Sequence, residues 1–173
     1  NPISPYAVQK MVGEVYCTMF PKVYNIDTVS LRYFNVYGER QSFEGAYALV
    51  MGVFAKQLLN GEPMTINGDG EQRRDFTYVG DVVDANIRAA TFQNVGDGEV
   101  INIGNGDNKS VNELANLLSS GYPPNGGDRV YRDPVVEPQA TLADNSKARE
   151  LLGWKPTQNF DEWVTNWKEE LGI

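Results

Sequence analysis

A tyrosine and a lysine lie four residues apart near the start of the 173-residue chain, in the stretch SPYAVQK at residues 4–10. Ser4 can accept hydrogen bonds from free backbone N–H groups and Pro5 suits the first helical position, so the stretch predicts a helix start. Tyr6 and Lys10 then share one helix face. An isolated tyrosine has a pKa of about 10, and a nearby ammonium favours the phenolate. The spacing suits a tyrosine acid or base, although on spacing alone an ordinary pair on a helix face is the commoner case.

Composition limits the chemistry that other residues could perform. The chain has no histidine and one cysteine, Cys17, which excludes Ser-His-Asp and Cys-His catalysis and an internal disulfide and disfavours a zinc site. We therefore expect no metal. The net charge of −8 disfavours a nucleic-acid partner. Because no run of about 18 apolar residues and no signal peptide are visible, we expect no membrane partner and a cytoplasmic location.

Predicted strands alternate with predicted helices, which indicates the α/β class. Apolar spacing predicts a helix over 4–24, which Pro21 is expected to bend or end. Ser110 and Glu113 form a capping box before a helix at 111–119. Further helices are predicted at 46–60, from about 79 to 92, at 146–152 and at 160–171; strands are predicted at 28–34 and near 64, 73, 100 and 129.

Five stretches of the chain, in order, resemble the C-terminal half of the extended short-chain dehydrogenases/reductases, the NAD-dependent sugar-nucleotide epimerases and dehydratases. They are SPYAVQK, LRYFNVYGERQ, INGDGEQRRDFTYVGDVVDA, VINIGNG and TLADNSKARELLGW. The second and third are most similar to UDP-N-acetylglucosamine and UDP-glucose 4-epimerases. Over residues 1–173 the resemblance implies the C-terminal part of a doubly wound Rossmann-type sheet and a small α/β substrate-binding domain. It also implies NAD as cofactor, a UDP-sugar substrate and a homodimer in the full-length enzyme.

The resemblance gives the Tyr-x-x-x-Lys pair a role. It implies that Tyr6 takes the proton from the sugar 4-hydroxyl while a hydride leaves C4 for the nicotinamide. Lys10 would hydrogen-bond the nicotinamide ribose and favour the phenolate. Tyr33 and Phe34 would lie beside the nicotinamide, although plain core packing explains them equally well. In an epimerase the 4-keto sugar turns over, and the hydride returns to its other face.

The resemblance also implies contacts to the substrate. Asn35 would donate its amide to the diphosphate, and Arg74 would bind the same group through its guanidinium. Asn35 could instead form a turn, and the Arg73–Arg74 pair could be a solvated strand end. Of the two arginines, Arg73 is expected to point away because neighbours on a strand face opposite sides. Phe76 stands where some relatives have a tyrosine near the nucleotide.

The segment 132–144 departs from the pattern of the family. Pro134 takes the place of a phosphate-binding arginine, for which Arg132 could substitute. Glu137 would accept hydrogen bonds from the nucleotide ribose. Thr141 would line the hexose end, where its small size leaves room for an acetamido group, unless it is only a β-former in an extended segment. We therefore expect an enzyme that accepts UDP-N-acetylglucosamine, together with UDP-glucose.

The Gly-rich nucleotide loop of the family is not visible in this sequence. We therefore expect the chain to be a fragment of a longer enzyme, inactive by itself. Two alternatives stay open. One is a nucleotide-sugar 4,6-dehydratase, whose extra acid and base would precede residue 1. The other is a truncated, non-catalytic binding or interaction module.

Overall fold

The computed structural model describes residues 2, 4–45, 48–121 and 127–173, in which helices and strands alternate. In chain order they are α1 (Pro5–Tyr24), β1 (Thr28–Tyr33), β2 (Asn35–Tyr37), α2 (Val50–Leu59), β3 (Met64–Asn67), β4 (Arg73–Arg74), β5 (Phe76–Tyr78), α3 (Val79–Thr91), β6 (Asp97–Ile103), β7 (Lys109–Ser110), α4 (Val111–Ser119), β8 (Arg129–Arg132), α5 (Ser146–Leu152) and α6 (Phe160–Leu171). The predicted α/β class is confirmed. Of the helices in these ranges, none is long and apolar enough to cross a bilayer.

The strands associate mostly as parallel pairs. β1 pairs with β6, β2 with β5 and β3 with β8, all parallel, while the short β4 and β7 are antiparallel. Parallel strands need crossover connections, which here contain helices. The described strands form four two-stranded sheets, and parallel pairs joined through helices are the pattern of the Rossmann-type α/β fold that the resemblance implies.

The buried apolar side chains of the described residues form two clusters. The larger one joins α2, α4 and α6 to β2, β3 and β5, and the smaller one joins α3 and α5 to β6. Trp154 is the largest fully buried side chain, and its indole N–H donates to the carbonyl of Asp81 at 2.8 Å. The two clusters lie on either side of the β1–β2 segment, where the predicted cofactor and substrate residues begin.

The segment around residue 34 differs from the predicted strand and loop. β1 ends at Tyr33, Phe34 donates its N–H to the carbonyl of Ile103 at 3.2 Å, and Asn35 starts a second strand. The chain therefore leaves β6 and continues beside β5, because Val36 and Tyr37 are good strand formers. Helix α2 also begins later than predicted, at Val50. Residues 46 and 47 lie outside the described residues, and the Ala48 N–H donates to the Gly45 carbonyl at 3.1 Å.

Helix α1 continues past Pro21, and another residue supplies the hydrogen bond that the proline cannot donate. The helix continues to Tyr24, where Asn25 adopts a left-handed conformation and donates its N–H to the Pro21 carbonyl. Because proline has no N–H, the carbonyl of Cys17 lacks its usual donor one turn earlier. The Thr28 hydroxyl donates to that carbonyl at 2.5 Å. A proline inside the helix thus creates the acceptor that joins α1 to β1.

Candidate functional site

The N-terminal end of α1 presents Tyr6 and Lys10 together. The Ser4 side chain accepts the N–H of Ala7 at 3.1 Å and Pro5 occupies the first helical position, so the helix starts where the sequence predicts. Tyr6 is 64% exposed. The Lys10 ammonium lies 5.3 Å from the centroid of the Tyr6 ring, within the range of a cation–π contact. The Lys10 ammonium and the Tyr6 ring therefore lie together on one face of α1.

Three neighbouring cavities of the described residues lie at the carboxyl ends of β1, β3 and β8, and we call them together the long groove. The first, of about 560 Å³, is lined by Arg32, Tyr33, Phe34, Asn35, Asn102 and Thr141. The second, of about 230 Å³, has a lining that includes Asn35, Leu49, Asn67, Gln72, Arg74 and Glu137. The third, of about 720 Å³, has a lining that includes Asn67, Gln72, Arg132, Pro134 and Glu137. Asn35 lines the first and second cavities, and Asn67, Gln72 and Glu137 line the second and third, so the three adjoin one another at the edge where α/β sheets bind ligands.

The first cavity brings together four of the residues that the sequence singled out. Tyr33 ends β1 beside β6, and Phe34 and Asn35 come directly after it in the chain. All three line this cavity. The Tyr33 hydroxyl is held by Asn86, to whose side-chain oxygen it donates at 2.8 Å. Thr141 reaches the same cavity from a segment more than 100 positions later in the chain. The cavity thus has an aromatic wall and the polar side chains of Arg32, Asn35, Asn102 and Thr141.

The two adjacent arginines of β4 point in different directions. The Arg74 guanidinium is buried; it donates to Glu137 at 2.5 Å and to the carbonyl of Arg73 at 2.8 Å. The Arg73 guanidinium instead contacts Asn108 and Glu113 at 2.7–2.9 Å. Only Arg74 lines the second cavity, which agrees with the alternation of side chains along a strand.

Asp75 is a fully buried carboxylate that organises this part of the groove. It accepts the backbone N–H groups of Asn105, Gly106 and Ala143 at 2.8–3.0 Å and, more weakly, the Thr77 hydroxyl at 3.3 Å. A buried carboxylate is stable only when such donors surround it. The bonds join the residue beside Arg74 to two distant segments. Sequence reasoning missed Asp75 because its partners are 30 to 68 positions away.

Hydrogen bonds to Arg73 and Asp75 fix the position of Thr141. Its N–H donates to the Arg73 carbonyl at 3.0 Å, and its hydroxyl accepts the N–H of Asp75 at 3.1 Å. The Asn108 amide donates to its carbonyl at 3.1 Å. Because its backbone and hydroxyl are both engaged, Thr141 presents mainly its methyl group and its small volume to the first cavity.

Three other expected substrate residues lie in different surroundings. Phe76 is in the core, stacked on Phe160 with ring centroids 4.7 Å apart, rather than in the groove. The chain changes its partner strand at Asp75, so the alternation that points Arg74 into the groove does not continue to Phe76. Glu137 and Arg132 both line the third cavity, with Pro134 between them in sequence.

The start of α2 is a further part of the groove that the sequence did not reveal. Ala48, Leu49 and Val50 line the second cavity together with Asn35 and Arg74. Leu49 occupies the N-cap position and has no side-chain acceptor for the first helical N–H groups. A helix N-terminus with free N–H groups attracts anions. The prediction of a helix start at 46 concealed this feature.

The loop after β2 is held by Glu39. This carboxylate accepts the Tyr78 hydroxyl at 3.0 Å and the Trp163 indole N–H at 3.3 Å. Its own backbone N–H, followed by these two donors, lowers the pKa of Glu39, and burial followed by the Glu39 bond raises the pKa of Tyr78. The pair therefore stays a carboxylate and a phenol at neutral pH and ties the loop to α6.

The parallel strand pairs, with cavities at their carboxyl ends, define the chain as part of a Rossmann-type α/β protein. The model of the "NAD dependent epimerase/dehydratase family" matches residues 1–104. The chain belongs to this family.

Its relatives act on nucleotide sugars. The chain is 37% identical to the UDP-glucose 4-epimerase of Mycolicibacterium smegmatis, covering 95% of the chain and 51% of that protein. The UDP-glucose 4-epimerase of Thermotoga maritima, solved with UDP-glucose, superposes with a TM-score of 0.88 at 40% identity, covering 98% of this chain and 53% of the other. The UDP-glucuronic acid 4-epimerase of Bacillus cereus, solved with UDP-glucuronic acid and NAD, superposes with a TM-score of 0.87 at 35% identity. The match covers 99% of this chain and 54% of the other. The chain spans about half the length of the relatives it matches.

Proposed function

We propose that the complete protein is an NAD-dependent UDP-sugar 4-epimerase to which this chain contributes the acid/base helix and much of the sugar-nucleotide site. The observation that carries the proposal is that the three cavities of the long groove adjoin one another through shared lining residues. Its first cavity has an aromatic wall beside Asn35 and Thr141, and its second adds the buried Arg74. A nicotinamide ring, a sugar and a diphosphate would find matching surroundings in that order.

The residues present fit a nicotinamide and its ribose. Tyr33 and Phe34 give the first cavity a partly exposed aromatic wall, against which a planar ring can lie. The Lys10 ammonium offers donors to ribose hydroxyls. NAD bound there would supply a reversible hydride acceptor for C4 of the sugar.

Proton transfer falls to Tyr6. Its phenolate oxygen accepts the proton of the sugar 4-hydroxyl as C4 becomes a ketone, and it returns that proton to the same oxygen when the ketone is reduced. The Lys10 ammonium, held over the ring, stabilises the phenolate between these two steps. Each cycle leaves the sugar and Tyr6 in their starting oxidation and protonation states, so the net reaction is an isomerisation.

The diphosphate would be bound by Arg74, Asn35 and the start of α2. The Arg74 guanidinium has five N–H groups, and the contacts to Glu137 and to the Arg73 carbonyl engage two of them. Glu137 offsets the charge of Arg74, so the remaining guanidinium N–H groups and the helix N-terminus would bind the diphosphate mainly as hydrogen-bond donors. Glu137 and Arg132 would contact the ribose and the nucleotide in the third cavity.

The size of Thr141 supports a substrate with an acetamido group. The side chain lines the first cavity and leaves space that a larger residue would fill. We therefore propose UDP-N-acetylglucosamine, with UDP-glucose, as substrates.

The test is the product that the complete protein forms from each UDP-sugar, identified by NMR. We expect the C4 epimers, UDP-N-acetylgalactosamine and UDP-galactose, at equilibrium. A 4-keto-6-deoxy sugar would instead identify a dehydratase. Absence of any turnover in protein that has NAD bound would overturn the proposal.

A further inference from the structure

Arg74 and Glu137 form an ion pair at the place where the second and third cavities of the long groove meet. The Arg74 Nη2 donates to the Glu137 Oε2 at 2.5 Å, and Glu137 lines both cavities. We infer that this pair couples recognition of the diphosphate to recognition of the ribose: Arg74 is also the positioning residue that directs the Glu137 carboxylate at the ribose hydroxyls. The inference rests on the proposed function, which assigns the two residues to different parts of the nucleotide.

The Arg74 guanidinium is a fixed donor. Its Nη1 donates to the Arg73 carbonyl at 2.8 Å, and its side chain is only 11% exposed. The next residue, Asp75, is tied to two other segments through its three backbone donors. Because a guanidinium is planar and rigid, a bond at Nη1 also sets the direction in which Nη2 donates.

Backbone pairing brings Glu137 alongside this donor. The Arg73 N–H donates to the Gln139 carbonyl at 2.8 Å, and the segment after Glu137 pairs in parallel with β4. Pro138 separates Glu137 from Gln139, and a residue that precedes proline is restricted to extended backbone conformations. The ion pair is therefore a consequence of the backbone register between two segments of the site.

The pair engages one oxygen of the carboxylate and leaves the other for a ligand. Arg74 contacts Oε2 of Glu137. An ionised carboxylate has about two lone pairs on each oxygen, so Oε1 can accept from both hydroxyls of a ribose. Since the guanidinium holds Oε2, it also fixes the direction of Oε1.

The same guanidinium separates two negative charges. The diphosphate proposed for the second cavity and the Glu137 carboxylate would both lie beside Arg74, in a cavity of about 230 Å³. Without the guanidinium the two anions would face each other, and like charges at short distance repel. We therefore expect that the loss of Arg74 removes ribose recognition as well as a phosphate contact.

The experiment measures the affinity of the complete protein for UDP and for 2′,3′-dideoxy-UDP, which keeps the diphosphate and lacks both ribose hydroxyls. Calorimetric titration should show that the wild type prefers UDP about tenfold, because a charged acceptor binds the hydroxyls. Glu137→Gln should lower this preference to about twofold. Arg74→Ala should lower it to the same value although Glu137 is still present. Arg73→Ala is the matched control, since the Arg73 guanidinium contacts Asn108 and Glu113, and it should keep the wild-type preference.

A second readout tests the repulsion between the two anions. The double variant Arg74→Ala/Glu137→Gln should bind 2′,3′-dideoxy-UDP roughly three- to tenfold more tightly than Arg74→Ala does, because it has no unpaired carboxylate beside the diphosphate. This probe has no ribose hydroxyls, so only the charge of Glu137 can cause the difference. If Arg74→Ala does not fold, Arg74→Met keeps the apolar stem without a donor and should show the same ratios.

The possible outcomes separate the inference from the proposed function. A tenfold preference for UDP that persists in Arg74→Ala, or is already missing in the wild type, would overturn the inference. A double variant that binds 2′,3′-dideoxy-UDP no better than Arg74→Ala would overturn it as well. A coupled preference in a protein that binds NAD and forms no C4 epimer would overturn the proposed function alone. A wild type that does not bind UDP would overturn both.

Discussion

Tyr6 and Arg74, the two side chains on which the proposed reaction depends, are held in place by opposite means. Tyr6 is exposed on a helix without a buried residue, and the half-buried side chains and polar contacts of that helix lie mostly in its C-terminal half. Arg74 is buried and adjoins Asp75, a fully buried carboxylate that accepts three backbone N–H groups. The Tyr6 side chain makes few buried contacts, so it can be replaced without unfolding the chain. Arg74 is part of the folded core.

This difference implies separable effects of substitution. Changes at the end of α1 should alter the rate and leave the free energy of unfolding nearly constant. Changes around Arg74 should alter ligand affinity or stability, according to whether the residue faces the groove or the buried network. The following predictions test this separation, from the largest expected effect to the smallest.

Tyr6→Phe removes the proton-transferring hydroxyl and should lower kcat by roughly 10²- to 10⁴-fold. Because Tyr6 is largely exposed, the unfolding midpoint, bound NAD and UDP affinity should stay at wild-type values. Steady-state kinetics and urea unfolding check both statements. Tyr24→Phe, at the other end of the same helix and 59% exposed, is the control that should keep full activity. Near wild-type turnover in Tyr6→Phe would remove Tyr6 from the mechanism.

Asp75→Asn keeps the volume of the side chain but removes the charge that three backbone donors share. We expect a loss of about 3 kcal/mol in the free energy of unfolding, since bonds to a buried charge are strong and unpaired donors are costly. Asp69→Asn, an exposed carboxylate on the preceding turn, should change stability by less than about 0.5 kcal/mol. Equal, small effects in the two variants would contradict the view that Asp75 organises this region.

Arg74→Ala should weaken UDP binding by roughly 10- to 100-fold, the value of one charge-assisted hydrogen bond. NAD binding should change little. The neighbouring Arg73→Ala is the matched control, because its guanidinium contacts Asn108 and Glu113 outside the second cavity. Calorimetric titration with UDP measures both. If the two variants lost the same affinity, the opposite orientations of the arginines would have no functional meaning.

Thr141→Tyr should reduce kcat/KM for UDP-N-acetylglucosamine about tenfold more than for UDP-glucose, because the ring would occupy the space of the acetamido group. Thr141→Ser keeps the hydroxyl that accepts the Asp75 N–H and should retain the wild-type preference. Competition between the two substrates in one reaction measures the ratio directly. An equal loss on both would show that Thr141 does not select the sugar.

Local sequence patterns predicted the elements well because their causes are local. The Ser4 cap starts α1, and the Ser110–Glu113 capping box starts α4, both with the expected hydrogen bonds. The direction of Arg73 relative to Arg74 followed from strand alternation.

Contacts between residues that are far apart in the sequence could not be predicted from local patterns. Arg74 and Glu137 are 63 positions apart, and the partners of Asp75 come from two separate segments. The change of partner strand at residue 75, which buries Phe76 in the core, depends on pairing with β2. The homodimer, the cytoplasmic location and the roles of the site residues stay predictions.

The central claim, a hydride removed from C4 and returned to the same carbon, can be tested with UDP-glucose that carries deuterium at C4. The complete protein is incubated with it in ordinary water, and the product is examined by NMR and mass spectrometry. The account predicts UDP-galactose with the deuterium still at C4. Loss of the label to water, or its appearance at C6, would contradict it.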